Sequence, residues 1–383
     1  MIYYLNNSAT SYPKPAAVAQ AAFDAMTEQP GMTGRGEESG TKDKVLAARI
    51  SLARFFGCPN PERLIFTSNS TSALNQAIHG FVDHLSATDP IHVVTTSNDH
   101  NSVLRPLRTL ESRKKVELTI VQSDERGVLD PAAIIDALRP DTRILAVNHL
   151  SNVVGTAAPL RELGEACREG NITFLVDASQ SAGLLEIDVE EMGIDLLAIT
   201  GHKYMLGPTG IGALYIAEGV ELAPRKQGGT GVKSEYKYQP EELPIRFEAG
   251  TVNYIGIIAL DAARAFIEKT GLETIYNSIR AMCIDCEEKL RSIDGVTVYG
   301  PSPEEKQGAV ISFRIAGHGV AEVDAILRSD FGIICRSGLH CAPLCHQRLG
   351  TSPDGTIRVS FSSLTCNEAS DKLVAAIQEI VQS

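Results

Sequence analysis

Val176-Asp177-Ala178-Ser179-Gln180 and, further along the chain, Thr200-Gly201-His202-Lys203 are the two stretches on which the fold turns. Each closes an apolar, strand-like run, 172–177 in the first case and 195–200 in the second. If these runs are neighbouring parallel strands, an acid and a lysine meet at the carboxyl edge of one sheet. Open α/β folds bind their ligands at that edge. A lysine there can form a Schiff base with a carbonyl cofactor, and an acid can hold a pyridinium nitrogen. Pyridoxal phosphate chemistry needs this pair, although strand-end acids and lysines also occur without it.

On either side, apolar runs at 63–67, 91–95, 116–121, 143–148 and 211–216 alternate with helical spacing. The helical segments are 16–29, 41–57, 71–84, 101–114, 131–138, 160–169 and 188–192. Such alternation predicts a mainly parallel, seven-stranded sheet covered on both faces. The run 211–216 follows a loop rich in Gly and Pro, so it is expected to pair antiparallel at an edge. A loop-rich region, 224–254, leads into one long helical stretch, 255–292. The tail has strand-like pieces at 296–299, 309–315 and 356–361 and a closing helix at 367–381. The expected class is α/β, with a large domain over 16–255. A smaller α+β domain is expected from 1–15 and 256–383.

Of the 383 residues, 43% are hydrophobic and 21% charged, an ordinary globular composition with room for two cores. A net charge of −12 argues against nucleic acid or an anionic membrane as a main partner. The opening residues lack the basic and apolar regions of a signal peptide, and no run has the length of a membrane span. Eight cysteines scattered through a long chain do not make a disulfide framework. These features predict a reducing, cytoplasmic compartment.

Several further segments carry chemistry. Residues 67–75 are rich in Ser, Thr and Asn between a strand and a helix; Ser70 and Thr71 there suit a phosphate at a helix N-terminus, or a plain N-cap. His100 follows another strand, either as a flat ring able to stack on a cofactor and shuttle protons or as a solvated loop residue. Asn152 offers a neutral hydrogen-bonding group at the same edge, and Thr200 and His202 flank the lysine as possible phosphate donors. Residues 246–254 combine a small flexible turn with the hydroxyl of Thr251, or simply lead into a helix. Cys341 lies among Gly and Pro beside His340, a setting that suits an exposed, activated thiolate. His340, Cys341, Cys345 and His346 can also be read as a metal set, but they lack the usual separation between ligand pairs. Cys283 and Cys286 form a C-x-x-C spacing inside a helical run and read as ordinary helix residues.

Together these segments resemble the pyridoxal-phosphate-dependent cysteine desulfurases, in the class V aminotransferase group of fold type I. The resemblance runs from Tyr4 nearly to the end. Its motifs come in the family's order: 5–10, Ser70-Thr71, Asp99-His100, Ser151-Asn152, 176–180, 200–203, 247–251 and 336–341. The Arg336-Ser-Gly-Leu-His-Cys341 form is similar to the second, selenocysteine lyase-like group. Departures are Asn6-Asn7-Ser8, Asn69-Ser70 and Ser72, which keep hydrogen-bonding groups but differ from the common residues.

The resemblance implies roles. Lys203 would be the Schiff-base lysine and would move the Cα proton. Asp177 would pair with the pyridine nitrogen, Gln180 with the ring's phenolic oxygen, and His100 would stack on the ring. Ser70, Thr71, Thr200 and His202 would hold the phosphate. Thr251 would reach the phosphate of a neighbouring subunit, making a homodimer part of the site. Arg358 with Asn152 would hold the substrate carboxylate, with Arg336 and His340 also facing the substrate. Cys341 would attack the sulfur of L-cysteine, giving alanine and a persulfide that passes to an acceptor protein. His340 or the cofactor would help lower the thiol's pKa from about 8.5. Selenocysteine lyase, cysteine sulfinate desulfinase or another class V reaction is the alternative on the same site. From a different class, the alternative is a metal or sulfur carrier built on residues 335–346. Cys345 reads as a packed thiol or as a relay for the persulfide.

Overall fold

The computed structural model describes residues 2–28, 40–85 and 89–382. Residues 1, 29 and 383, which bound predicted segments, lie outside the described residues. The first half of the chain holds β1 (Tyr3–Tyr4), α1 (Ala16–Thr27), α2 (Gly40–Phe55), β2 (Leu64–Thr67), α3 (Ser70–Leu85), β3 (Ile91–Thr96), α4 (Asn101–Ser112), β4 (Val116–Val121), α5 (Pro131–Asp136), β5 (Thr142–Asn148), α6 (Leu160–Gly170) and β6 (Thr173–Asp177). Then come β7 (Leu196–Thr200), β8 (Gly212–Ile216), α7 (Tyr254–Thr270), α8 (Leu272–Arg291), β9 (Val296–Tyr299), β10 (Val310–Ile315) and α9 (Val320–Ser329). The tail has β11 (Ile333–Ile334), β12 (Arg336–Gly338), α10 (Pro343–Arg348), β13 (Thr356–Ser360) and α11 (Glu368–Gln382).

The main sheet has seven strands in the order β2-β8-β7-β6-β5-β3-β4. Its β7–β6, β6–β5, β5–β3 and β3–β4 pairs are parallel, and β8 runs antiparallel to both its neighbours. Continuous apolar runs such as Ile144–Val147 make sense here, because both faces are covered. Their side chains alternate between two cores. Ile144 and Ala146 join the cluster under α3 and α4, while Leu145 and Val147 join the cluster on the other face. The second cluster continues without a break into Ile311, Phe313, Ile357 and Val359 of a four-stranded antiparallel sheet, β12-β13-β10-β9.

Three expectations need correction. Strand β8 is antiparallel as expected, but it lies between β2 and β7, so β2 takes the edge. Residues 188–192 form turns, not a helix; Asp188 Oδ1 takes the Glu190 and Glu191 amides, and Gly193 in left-handed backbone (φ 63°) ends the segment. The stretch 255–292 is two helices, broken at Gly271. With φ at 89°, that glycine caps α7 through its N–H to Ile267 O and opens α8.

With β8 reversed, the carboxyl ends of β2, β3, β5, β6 and β7 all reach one edge. The segments after them carry Ser70, His100, Asn152, Asp177 and Lys203. The topology is thus what brings the dispersed motifs together.

Candidate active site

A cavity of about 200 Å³ opens at this edge. Ser70, Thr71, His100, Asn152, Asp177, Gln180, Thr200, His202 and Lys203 line it, so nine of the sequence-derived positions converge. Asn69, Ser102, Asn148 and Ser179 line it as well.

Asp177 ends β6 and is buried. Its Oδ1 accepts from Ser179 N at 2.9 Å and from the Ser179 hydroxyl. Thr71 Oγ1 lies 2.8 Å from Ser102 Oγ, which lies 2.9 Å from His100 Nδ1. Ser102 N donates to the same Nδ1 at 3.0 Å, so His100 is the N-cap of α4 and its Nδ1 is an acceptor. Burial, reinforced by the charge of Lys203, holds His100 down at about 4. The ring is therefore neutral, with its proton on Nε2.

Lys203 is half-buried in the turn after β7. Burial lowers its pKa to about 8; Asp177 opposes that shift, and Arg358 adds to it. His202 is held at about 4 by burial and then by the charges of Lys203 and Lys14. Asp99, fully buried beside His100, takes Thr95 Oγ1, Thr96 N and Thr96 Oγ1 on Oδ2 at 3.0, 2.9 and 2.7 Å. Desolvation nevertheless raises it to about 7.

The cavity wall is polar and incompletely satisfied. Gln180 Oε1, Thr200 Oγ1, His202 Nδ1 and Asn152 Oδ1 are buried without a hydrogen-bond partner. Buried polar atoms are rarely left in that state, and four on one wall fit a polar, multiply charged ligand such as pyridoxal phosphate. The N-terminus of α3 at Ser70 adds free amides to the same wall.

Arg358 is buried on β13. Its Nη1 donates to Asn152 O at 3.0 Å and its Nη2 to Asn6 Oδ1 at 3.4 Å, while Nε has no partner. Arg336, its cross-strand neighbour on β12, is exposed, and its Nη2 is 4.0 Å from Cys341 Sγ. Burial, then Arg336, lowers Arg358 to about 10.

Cys341 is half-buried. It and His340 both adopt left-handed backbone, with φ of 61° and 49°. Such conformations are strained for residues with a Cβ, and the surroundings must hold them. Cys341 O accepts from Asn101 N at 2.8 Å, and His340 O from Asn152 Nδ2 at 2.7 Å. The thiol loop is thereby tied to the loops after β3 and β5 that line the cavity.

The His340 ring points into the protein, with Nε2 3.1 Å from Thr356 O. Burial, then Arg358, depresses its pKa well below 6.5, so this ring is neutral. The cation next to Cys341 is Arg336; of the two expected sources, His340 or the cofactor, the buried, neutral His340 ring does not supply the charge. Cys345 is fully buried against Val153, Val154 and Leu349, and burial pushes its thiol up to about 12, as a packed thiol. Cys283 and Cys286 are equally buried in α8. Among the described residues no group of three or more His, Cys, Asp or Glu could hold a metal.

Thr251 lies outside this cavity, exposed after Gly250 in the loop that leads to α7. Glu248 anchors that loop: it binds Arg49 at 2.7 and 2.9 Å and accepts from Phe66 N at 2.6 Å. Of the residues the sequence reading missed, Asn148 ends β5 and Ser179 sits inside a quoted motif, so the strand-edge rule could have flagged both. Nothing in sequence marks Ser102 as the neighbour of Thr71. No described helix is long and apolar enough to cross a membrane.

Comparison with known proteins gives the family and the fold. The family model described as aminotransferase class-V matches residues 3–373. A probable cysteine desulfurase of Methanothermobacter thermautotrophicus is 34% identical over 98% of this chain and 94% of its own length. The cysteine desulfurase of Haloferax volcanii is 30% identical over 98% of this chain and 88% of its own. The apo structure of the cysteine desulfurase from Thermococcus onnurineus NA1 superposes with a TM-score of 0.92 at 33% identity, covering 100% of this chain and 95% of that one. By sequence and by fold, the chain belongs to the cysteine desulfurases of the class-V aminotransferase family.

Proposed function

We propose that this chain is a pyridoxal-phosphate-dependent cysteine desulfurase, taking sulfur from L-cysteine, releasing L-alanine and carrying the sulfur as a persulfide on Cys341. The observation that carries the reading is the strained His340–Cys341 loop, bound through Asn101 and Asn152 to the two loops lining the Lys203 cavity. A thiol held there has no use in simple amino transfer.

When bound, the cofactor would supply an electron sink conjugated to the substrate's Cα. Asp177, with Oδ1 already on Ser179, would offer its other oxygen to the pyridine nitrogen. Gln180 would face the phenolic oxygen and His100 the ring. Ser70, Thr71, Thr200 and His202 would hold the phosphate, joined by Thr251 of a second copy in a homodimer. Arg358, through its free Nε and its guanidinium plane, suits the substrate carboxylate. Asn152 donates to His340 O, and its unpartnered atom is the acceptor Oδ1, which suits an N–H or O–H. Lys203 takes the Cα proton and delivers a proton back. Cys341 thiolate attacks the substrate sulfur, the carbon–sulfur bond breaks, and the pair of electrons left on carbon is protonated to give alanine. Arg336 stands where it can hold the thiolate or the persulfide. An acceptor protein would then remove the outer sulfur.

The test measures alanine and persulfide from L-cysteine in wild type and in Cys341→Ala, with selenocysteine and cysteine sulfinate in parallel. Cys341→Ala should lose persulfide while still binding cofactor. If it makes alanine from cysteine at the full wild-type rate, the nucleophile assignment fails.

A further inference from the structure

The segment between β1 and α1 reaches Arg358, Gln180 and the residues on either side of Lys203. Asn6 Oδ1 accepts from Arg358 Nη2 at 3.4 Å. Asn7 Nδ2 donates to Ser360 O, and Ser8 N to Ser360 Oγ, each at 2.9 Å. Ser8 O accepts from Gln180 Nε2 at 3.0 Å, and Ser8 Oγ lies 2.9 Å from the hydroxyl of Tyr204, the residue after Lys203. The residue before Lys203 is held more firmly still. His202 O is approached by Ser11 N at 2.9 Å, Thr10 Oγ1 at 3.1 Å, Ser11 Oγ at 3.3 Å and Lys14 Nζ at 2.8 Å.

A carbonyl oxygen has two lone pairs, so four donors are more than it needs. They come from one short segment and close on the peptide that sets the direction of Lys203. Lys14 is the charged one among them, and it also donates to Ser11 Oγ at 2.7 Å. Among the described residues it forms no ion pair, although it is half-buried, and burial lowers its pKa to about 8. A half-buried ammonium without a carboxylate is costly unless an anion is nearby. The neighbouring His202 presents an unpartnered Nδ1 and lines the cavity, where an anionic ligand would compensate the charge.

We propose that residues 6–14 are a positioning strap for Lys203, with Lys14 as its charged anchor on the His202 carbonyl. The strap aligns the lysine with Gln180 and Arg358, which it also holds, and its ammonium favours an anion at the cavity. This rests on the pyridoxal phosphate reading above.

The test uses full-length Lys14→Met and Lys14→Arg. Three quantities are read: the cofactor dissociation constant, the pH midpoint of the bound cofactor's visible band, and urea unfolding of the apo-chain. Lys14→Met should weaken cofactor binding about ten-fold, the size of one charged hydrogen bond. It should also move the midpoint upward, because a nearby cation that disfavours protonation is gone. Lys14→Arg, which keeps charge and donors, should restore both. If Lys14→Met leaves affinity and midpoint unchanged, the proposal falls. It also falls if Lys14→Met lowers only the unfolding midpoint, or if Lys14→Arg fails as badly as Lys14→Met. If the wild type itself takes up no pyridoxal phosphate on Lys203, the functional reading fails first and the strap with it.

Discussion

Loading of the apo-chain with pyridoxal phosphate should follow the neutral amine of Lys203, and the structure sets the pH at which that amine appears. Burial lowers Lys203 from its ordinary 10.5 to about 8, against the pull of Asp177 and with the help of Arg358. Near neutral pH an amine titrating at about 8 is neutral in roughly one molecule in ten, and one titrating at 10.5 in roughly one in three thousand. The buried site thus holds about 300 times more reactive amine than an exposed lysine would. Rapid mixing of apo-chain with pyridoxal phosphate over a pH series, followed by visible absorbance, should give rates that climb and level off above about 8. Asp177→Asn removes the anion that raises the value, so its midpoint should fall. Arg358→Met removes a cation that lowers it, so its midpoint should rise. A wild-type midpoint near the ordinary lysine value, a rise in Asp177→Asn or a fall in Arg358→Met would refute the desolvation argument.

Two stability predictions accompany it. Burial holds His149 at about 4, and His100 and His202 likewise, whereas the unfolded chain titrates near 6.5. Between those values the unfolded state binds protons that the folded state refuses, so stability is full above about 6.5 and drains away as pH falls toward about 4. Urea midpoints of the apo-chain should fall through that window, and a flat profile would count against neutral buried imidazoles. Lys306 binds Glu287 at 2.7 and 2.8 Å, both side chains 1% exposed. Lys306→Met leaves a buried carboxylate with only Arg291 and should cost about 3 kcal/mol in urea unfolding; a loss under about 1 kcal/mol would show that Arg291 suffices.

The strand-and-helix alternation was legible because buried parallel strands need unbroken apolar runs, and these are local in sequence. The acid and the lysine at the ends of β6 and β7 were legible for the same reason: a strand end marks its own edge. Helix 255–292 misled because its apolar spacing continues through Gly271, and only the backbone there shows the break. Strand β8 misled because pairing order is a long-range property; its sequence says strand, and nothing local says which two strands flank it.

At the site, residue types at strand ends named most of the side chains that line the cavity, because a strand end marks its own edge. Their protonation states were not legible. His340 and Cys345 look reactive beside Cys341, yet both are buried, and burial makes one a neutral structural ring and the other a packed thiol. His100 looks like a loose loop residue, yet the Ser102 amide fixes its tautomer. The convergence of Thr10, Ser11 and Lys14 on His202 could not be read from a stretch almost two hundred residues away from Lys203. The chain's order of residues set which groups are available. Packing set which are charged, which are held and which can move, because desolvation and hydrogen-bond geometry exist only once distant segments meet.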